Sequence, residues 1–474
     1  MDNQTSQKKT FPKWAKITII ISSVIVLILG VLGIVYISGL NYPNNYNPNT
    51  PDKVEIDNSK EVKTIFAKGR SLYDKNGNKF IMKGVNFGNW LIQEGWMTVN
   101  SIGIEYNEDG SYKKINEDGI IESYYEVSQD DLEEALRINP NFTDEQINEL
   151  WDAYHTSYCQ EEDFINIKNL GLNTIRLPMY YRTFMEGPND NLVMKEDAFE
   201  LVDWFLEMAK KHDLFVVLDM HGVVGGQNGF EHSGTWSNEF WDNELYQNQM
   251  SQLWQNIARH YVEDRPDLAY TIATYDLINE PATANTNTDK KQWEVFDKIY
   301  DAIREVDKDH VITMEGVWFC NNLPDPSLYG WENVMYEYHF YNWNRPTISN
   351  DAFYAAQFIT LMGADYDVPK YVGEFSFFDD KEEWVKWLNV YDKLEFNWTF
   401  WSYKTISVGY WDTSWGLYVY KMNLFNEQKK IDLRTASYEE IYEQWSHQGT
   451  SETYTSTGVC MESIKAYFAQ LGER

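Results

Sequence analysis

The chain has 474 residues, 43% of them hydrophobic, which is enough apolar material for a large core. Its formal net charge of −33 repels phosphate backbones, so nucleic acid is excluded as a partner. The three cysteines, Cys159, Cys320 and Cys460, lie far apart and form neither a metal cluster nor a disulfide framework.

The first 40 residues differ from the rest. Residues 1–16 are polar and carry Lys8, Lys9, Lys13 and Lys16, and residues 17–40 are an uncharged apolar stretch. At ~1.5 Å per helical residue this stretch spans a ~30 Å hydrocarbon layer. It is longer than the ~7–15-residue apolar region of a cleaved signal, and ISGLNYP is a poor cleavage site. The expectation is a cytoplasmic tail (1–16), a transmembrane anchor (17–40) and an extracytoplasmic Asn- and Pro-rich linker (41–63). The lysines ahead of the anchor place the N-terminus in the cytoplasm and the large domain (64–474) outside a single-pass cell membrane.

From residue 64 onward the pattern is that of one globular unit. Short apolar runs recur as strand candidates: Phe80 to Phe87, Asn173 to Met179, Leu214 to Met220, Tyr275 to Glu280, Val311 to Gly316, Val334 to Tyr341, Lys370 to Phe375 and Trp398 to Tyr403. Several are nearly continuous in β-branched and aromatic residues, as strands covered on both faces should be. Helical patterns lie between them, at Glu161 to Leu170, Lys195 to His212, Gln292 to Val306 and Lys381 to Leu394. The first opens on three acids and the second closes on Lys210, Lys211 and His212, matching the helix dipole at each end. Eight strands alternating with helices predict an α/β fold, a (β/α)8 TIM barrel. Two long stretches, Gly88 to Gln160 and Ser407 to about Leu433, should form βα loops over the active face. NEDG occurs twice in the first, which predicts hairpin turns rather than a calcium loop.

Barrel chemistry sits at the C-terminal ends of strands. Here those ends carry Asn86, Arg176, His221, Glu280, His339, Glu374 and Trp401. Glu280 and Glu374, on the fourth and seventh strands, can face each other across the mouth. A retaining glycosidase needs such a pair, ~5–5.5 Å apart, as acid/base and nucleophile. Because strand side chains alternate, Asn279 and Glu280 can both reach the site only if the strand end is distorted. His339 and Tyr341 share one face by the same period. Arg176 is a cation in a buried strand, and a carboxylate partner such as Glu374 would offset the cost of burying it. No phosphate-binding glycine loop, G-x-S-x-G elbow or H-E-x-x-H motif is present. The 19 Trp and 33 Tyr suit either core filling or sugar-stacking platforms.

With these residues in place the chain resembles glycoside hydrolase family 5 from about Phe66 to its end, and most closely the exo-β-1,3-glucanase branch. INEP (Ile278 to Pro281) resembles the acid/base motif of that family and VGEF (Val372 to Phe375) its nucleophile motif. GVNFGNWLIQEGWM (Gly84 to Met97) resembles the branch opening GVNLGGWLVLEPW, and GGQNGFEHSG (Gly225 to Gly234) resembles GSQNGFDNSG. The resemblance implies Glu280 as acid/base and Glu374 as nucleophile, with Arg176 and Tyr341 orienting Glu374. It implies that Glu94 binds glucose, Asn279 meets the sugar 2-hydroxyl, and His221 and His339 border the catalytic subsite. Trp401 would stack beneath the sugar and Phe230 contact the residue beyond the scissile bond. The implied substrate is a β-glucan, and no metal or organic cofactor is required. The alternatives are an endo-acting β-1,4 or mixed-linkage glucanase and a non-catalytic glucan-binding surface protein.

Overall fold

The computed structural model describes residues 30–31, 33–56, 63–102, 127–282, 289–316, 319–407, 415–421, 430–456 and 458–472. It divides into two compact units, Met1–Tyr46 with Asn342–Gly363, and Asn47–Tyr341 with Ala364–Arg474.

In the larger unit, among the described residues, eight parallel strands close into a barrel. They are β1 (Lys83–Asn86), β2 (Thr174–Tyr180), β3 (Phe215–Gly222), β4 (Ile272–Asp276), β5 (Val311–Glu315), β6 (Val334–Tyr341), β7 (Lys370–Ser376) and β8 (Asn397–Phe400). Each pairs with its neighbours in sequence, and β8 closes on β1. Helices Glu161–Asn169, Glu200–Lys211, Glu244–Arg259, Asp289–Val306 and Lys381–Leu394 connect five successive pairs, as the predicted alternation requires, whereas between β5 and β6 the described residues form only the short turn Pro326–Leu328. The predicted eighth strand is shorter than its apolar run, ending before Trp401.

Strand alternation sorts the barrel interior into layers. At the N-terminal end Val217, Ala273, Val311, Met335 and Tyr371 form an apolar plug, and Ile65 and Leu72 close it from below. Two residues further along β3 comes Asp219, and two beyond that His221. β6 likewise runs Met335, Glu337, His339 and Tyr341 up one face. The barrel is therefore apolar at its base and charged at its mouth.

The long segment after β1 contains two helices, Gln129–Ile138 and Asp144–Tyr158, each opened by a capping box, Ser128 with Asp131 and Thr143 with Gln146. The NEDG hairpin turns expected at 107–119 lie outside the described residues. The stretch after β8 contributes a parallel pair, Lys404–Ser407 with Tyr418–Lys421.

The expected linker is not extended along its whole length. Residues 33–45 are helical. Lys53 bridges to Asn78, the Val54 amide donates to the Gly77 carbonyl at 2.8 Å, and Val54 is buried. Asp52, Lys53 and Val54 thus pair along the edge of a small antiparallel sheet formed by Phe66–Lys68, Ser71–Tyr73 and Lys79–Phe80, the Lys79 amide donating to the Asp52 carbonyl at 2.7 Å.

The smaller unit contains that helix and Asn350–Met362. Gly39 sits directly against the Ala355 backbone, where any Cβ would collide, and Tyr42 stacks on Phe358 with centroids 5.4 Å apart. Among the described residues no helix is long and apolar enough to cross a membrane. Residues 17–29, over half of the expected anchor, lie outside the described residues.

Candidate active site

The two glutamates stand at the barrel mouth. β4 ends at Asp276, and the chain then departs from strand geometry so far that Glu280 has φ +42°. This is the distortion that lets Asn279 and Glu280 reach the site together. Glu374 lies within β7, opposite His339 of β6.

Glu374 is held from two sides. Arg176 Nη1 donates to its Oε1 at 2.9 Å and the Tyr341 hydroxyl donates to its Oε2 at 2.9 Å. His339 Nδ1 lies 2.9 Å from Glu280 Oε1 and 3.6 Å from Glu374 Oε2. These two oxygens can be no farther apart than those distances laid end to end.

Arg176 is fully buried on β2. It bonds Asp276 through Nε at 3.0 Å and Nη2 at 2.9 Å, Asn279 Oδ1 at 2.8 Å and Asn86 Oδ1 at 3.1 Å. Asp219 and Glu337 approach it at 3.2 and 3.4 Å. The sequence pointed to one carboxylate partner, and the fold supplies four. Arg176 alone cannot neutralise them all, and His339 stands beside two of them, 3.3 Å from Glu337 and 3.6 Å from Glu374. Burial pushes Asp219 up to about 7, against the pull of Arg176. Burial and neighbouring carboxylates push Glu337 and Glu315 well above the ordinary range. Gly373 is required here by close approach, because a Cβ on it would lie 1.5 Å from Glu337 Oε1.

His221 is neutral. Burial drives its pKa down to about 3, Nδ1 donates to Asp219 Oδ2 at 2.7 Å, and Asn279 Nδ2 approaches Nε2 at 3.4 Å. Trp401 stacks on its ring at 5.5 Å and 20°. Trp401 itself packs with Met97, Phe378 and Trp415, and Trp96 and Tyr341 flank that cluster. Glu94, in the loop after β1, accepts from Trp96 Nε1 at 2.6 Å. Burial pushes its pKa up to about 8 although His232 opposes this. Phe230 is 45% exposed at the rim and stacks on His232.

Asn279, Glu280, His221, His339, Tyr341, Glu374 and Trp401 therefore lie at or just beyond strand C-terminal ends, Glu94 and Phe230 lie in the loops above them, and Arg176 reaches up from the middle of β2. Sequence reasoning missed Asp219, Asp276, Glu315 and Glu337. Two of these carried a signal, since Asp219 and Glu337 each precede a candidate histidine by two residues on the same face. It also left His232 without a role. His232 Nε2 lies 2.9 Å from Glu280 Oε2, a contact made by a loop whose path the strand pattern does not specify. Burial alone would raise the Glu280 pKa, but the charges of His232 and His339 pull it well below the ordinary value. Glu280, Glu315 and His339 offer three ligand atoms within 4.8 Å of one another, but the ion pairs among them already account for their proximity.

A parallel eight-stranded barrel with two facing glutamates after β4 and on β7 defines the class, a barrel of the glycosidase type. Residues 138–407, more than half of the chain, match the Cellulase (glycosyl hydrolase family 5) model. The chain belongs to that family. It is 29% identical over 281 residues to a beta-xylosidase of Phanerodontia chrysosporium, covering 58% of this chain and 51% of the relative. It is 27% identical over 272 residues to a glucan 1,3-beta-glucosidase of Kluyveromyces lactis, covering 55% of this chain and 57% of the relative. It is also 26% identical over 306 residues to the sporulation-specific glucan 1,3-beta-glucosidase of Saccharomyces cerevisiae, covering 63% of each chain. The matches thus span half to under two thirds of these relatives. Among solved structures, an endogalactoceramidase superposes with a TM-score of 0.53 at 14% identity, covering 85% of this chain and 84% of that one. AoRut gives 0.50 at 16% identity, covering 77% and 96%. At such identities the likeness extends to the fold alone.

Proposed function

We propose that this chain is a retaining β-glucan hydrolase of the exo-β-1,3-glucanase type, with Glu374 as nucleophile and Glu280 as acid/base. The observation that carries this reading is the single imidazole of His339 in reach of both carboxylates, while Arg176 and Tyr341 aim Glu374 from the opposite side. Relatives named glucan 1,3-beta-glucosidase support the substrate class.

In the first step Glu374 attacks the anomeric carbon as Glu280 delivers a proton to the departing glycosidic oxygen. The bond to the leaving sugar breaks and a glycosyl–Glu374 ester forms. In the second step Glu280 takes a proton from water, whose oxygen displaces Glu374 and restores the original anomeric configuration. Neutral His221 and Asn279 border the sugar, Glu94 meets its far side, and Trp401 lies beneath it. Phe230 offers an exposed ring for the residue beyond the scissile bond. No metal or organic cofactor takes part in these steps.

We further propose that residues 17–40 anchor the enzyme in the cell membrane with its N-terminus in the cytoplasm, 41–63 acting as the connection and 64–474 as the extracellular catalytic domain. The support is the uncharged run itself and the four lysines that precede it.

Three experiments test these readings. Glu374→Gly should lose hydrolysis of laminarin, and added azide should restore turnover to an inverted glucosyl azide. Undiminished hydrolysis by that variant rules out Glu374 as nucleophile. Early products on laminarin, lichenan and cellulose decide linkage, and oligosaccharide release in place of glucose would establish endo action. Protease treatment of intact cells should remove the catalytic domain, and its protection would refute the orientation.

A further inference from the structure

The histidine beside Glu280 is the observation that the two-step scheme leaves unused. His232 lies in the short turn Glu231–Ser233 of the loop after β3. In the string GSQNGFDNSG, which this loop resembles, its position is an asparagine. Its ring is fixed by stacking on Phe230, with centroids 5.7 Å apart at 11°. Nε2 faces two groups at once, Glu280 Oε2 at 2.9 Å and Asn228 Nδ2 at 2.9 Å.

The orientation of the Asn228 amide is set independently. Its Oδ1 accepts from the Phe230 amide at 2.9 Å and its Nδ2 donates to the Glu280 carbonyl at 3.2 Å. The remaining Nδ2 hydrogen therefore points at His232 Nε2. A ring nitrogen cannot accept that hydrogen and donate to Glu280 together. Two arrangements follow. In one, Nε2 carries a proton and donates to a Glu280 carboxylate, leaving the Asn228 contact unmade. In the other, Nε2 is bare and its single lone pair accepts from Asn228, while the proton sits on Glu280 Oε2, available to the glycosidic oxygen. The first is Glu280 as a base and the second is Glu280 as an acid.

We propose that His232 is a positioning residue that exchanges one proton with Glu280 through the Nε2–Oε2 contact and so sets which of its two roles Glu280 plays. This rests on the reading of Glu280 as acid/base. Before the first step the proton passes from His232 Nε2 to Glu280 Oε2 and then to the glycosidic oxygen, leaving both groups without it. In the second step Glu280 takes a proton from water and returns it to His232. One proton is used and one regained, so the cycle balances.

The charges around His232 favour holding that proton at rest. Besides Glu280, its own turn brings Glu231, the loop after β1 brings Glu94, and β3 brings neutral His221, while His339 lies across Glu280. Burial lowers the His232 pKa, but these carboxylates raise it to about 9. His339 binds the other Glu280 oxygen and also contacts Glu315, Glu337 and Glu374. It is enclosed by carboxylates, whereas His232 is one-fifth exposed and can re-equilibrate with solvent.

The test compares His232→Asn and His232→Gln with the wild-type chain on two substrates. Dinitrophenyl β-glucoside departs without a proton, whereas an alkyl β-glucoside needs one. kcat/KM for the alkyl substrate should fall by ~10²-fold, the lower end of what a general acid contributes, and that for the dinitrophenyl substrate should hardly change. The basic limb of the alkyl pH profile should move to lower pH. Equal losses on both substrates, an unmoved basic limb, or full alkyl activity in His232→Asn would each overturn the proposal. If the wild-type chain hydrolyses neither substrate, the reading of Glu280 and Glu374 fails first, an outcome distinguishable from the others. Melting curves of both variants exclude a folding defect.

Discussion

Arg176→Lys probes the buried charge network and the proposed nucleophile, Glu374, together. Lysine keeps the charge but replaces a planar fork of five donors with one ammonium. Arg176 makes two contacts with Asp276 at 3.0 and 2.9 Å, one with Glu374 at 2.9 Å and one with Asn279 at 2.8 Å, all in a fully buried setting. A single ammonium can satisfy only part of this set. Leaving one buried carboxylate without its partner costs about 3–5 kcal/mol, which is most of the stability of many domains. The effect on catalysis is separable. One hydrogen bond to a charged group contributes about 1.5–3 kcal/mol, so losing the Glu374 contact should lower kcat/KM roughly 10–150-fold. Urea unfolding followed by tryptophan fluorescence reads the first quantity. Hydrolysis of an aryl β-glucoside, well below either unfolding midpoint, reads the second. An unchanged urea midpoint would show that the carboxylates do not depend on the guanidinium. An unchanged kcat/KM in a folded variant would show that Arg176 does not position Glu374.

Three further outcomes follow from the same geometry. Gly373→Ala places a Cβ 1.5 Å from Glu337 Oε1, so Glu337 must leave Arg176 and His339; the expected loss is about 3 kcal/mol or more, measured by urea unfolding. Glu94 has a folded-state pKa near 8 against an ordinary 4.5. Its protonated form is thus favoured by folding, and its contribution to stability is complete below pH 4.5 and lost as pH rises through 8. Glu94→Gln should flatten the melting temperature across that window, and an unchanged slope would contradict the assignment. Glu280→Ala should hydrolyse dinitrophenyl β-glucoside far better than an alkyl β-glucoside, and azide should then yield a glucosyl azide of retained configuration. Detection of the inverted azide would exchange the roles of the two glutamates.

Much of this protein is legible in one dimension. The runs at β2, β3, β6 and β7 are rich in β-branched and aromatic residues because a barrel strand is covered on both faces, so they announce a parallel sheet. Period two carries further: it places His339 beside Tyr341 and would have placed Asp219 and Glu337 beneath the histidines that follow them. The motifs around Glu280 and Glu374 identified the pair because strand ends at a barrel mouth converge. Tertiary structure decided what periodicity cannot express. Arg176 has four carboxylate neighbours because β2, β3, β4, β6 and β7 all point inward, and inward distances depend on closure rather than on any one strand. Glu280 shares the site with Asn279 only because the chain leaves strand geometry after Asp276 and turns to φ +42°. His232 reaches Glu280 through a loop, where turns and contacts fix the path and no repeat foretells it. The sequence by itself therefore determined the barrel, its strand order and the placing of Glu280 and Glu374 at its mouth. The folded chain determined which histidine holds which oxygen, because that depends on distances across the mouth between residues some fifty positions apart.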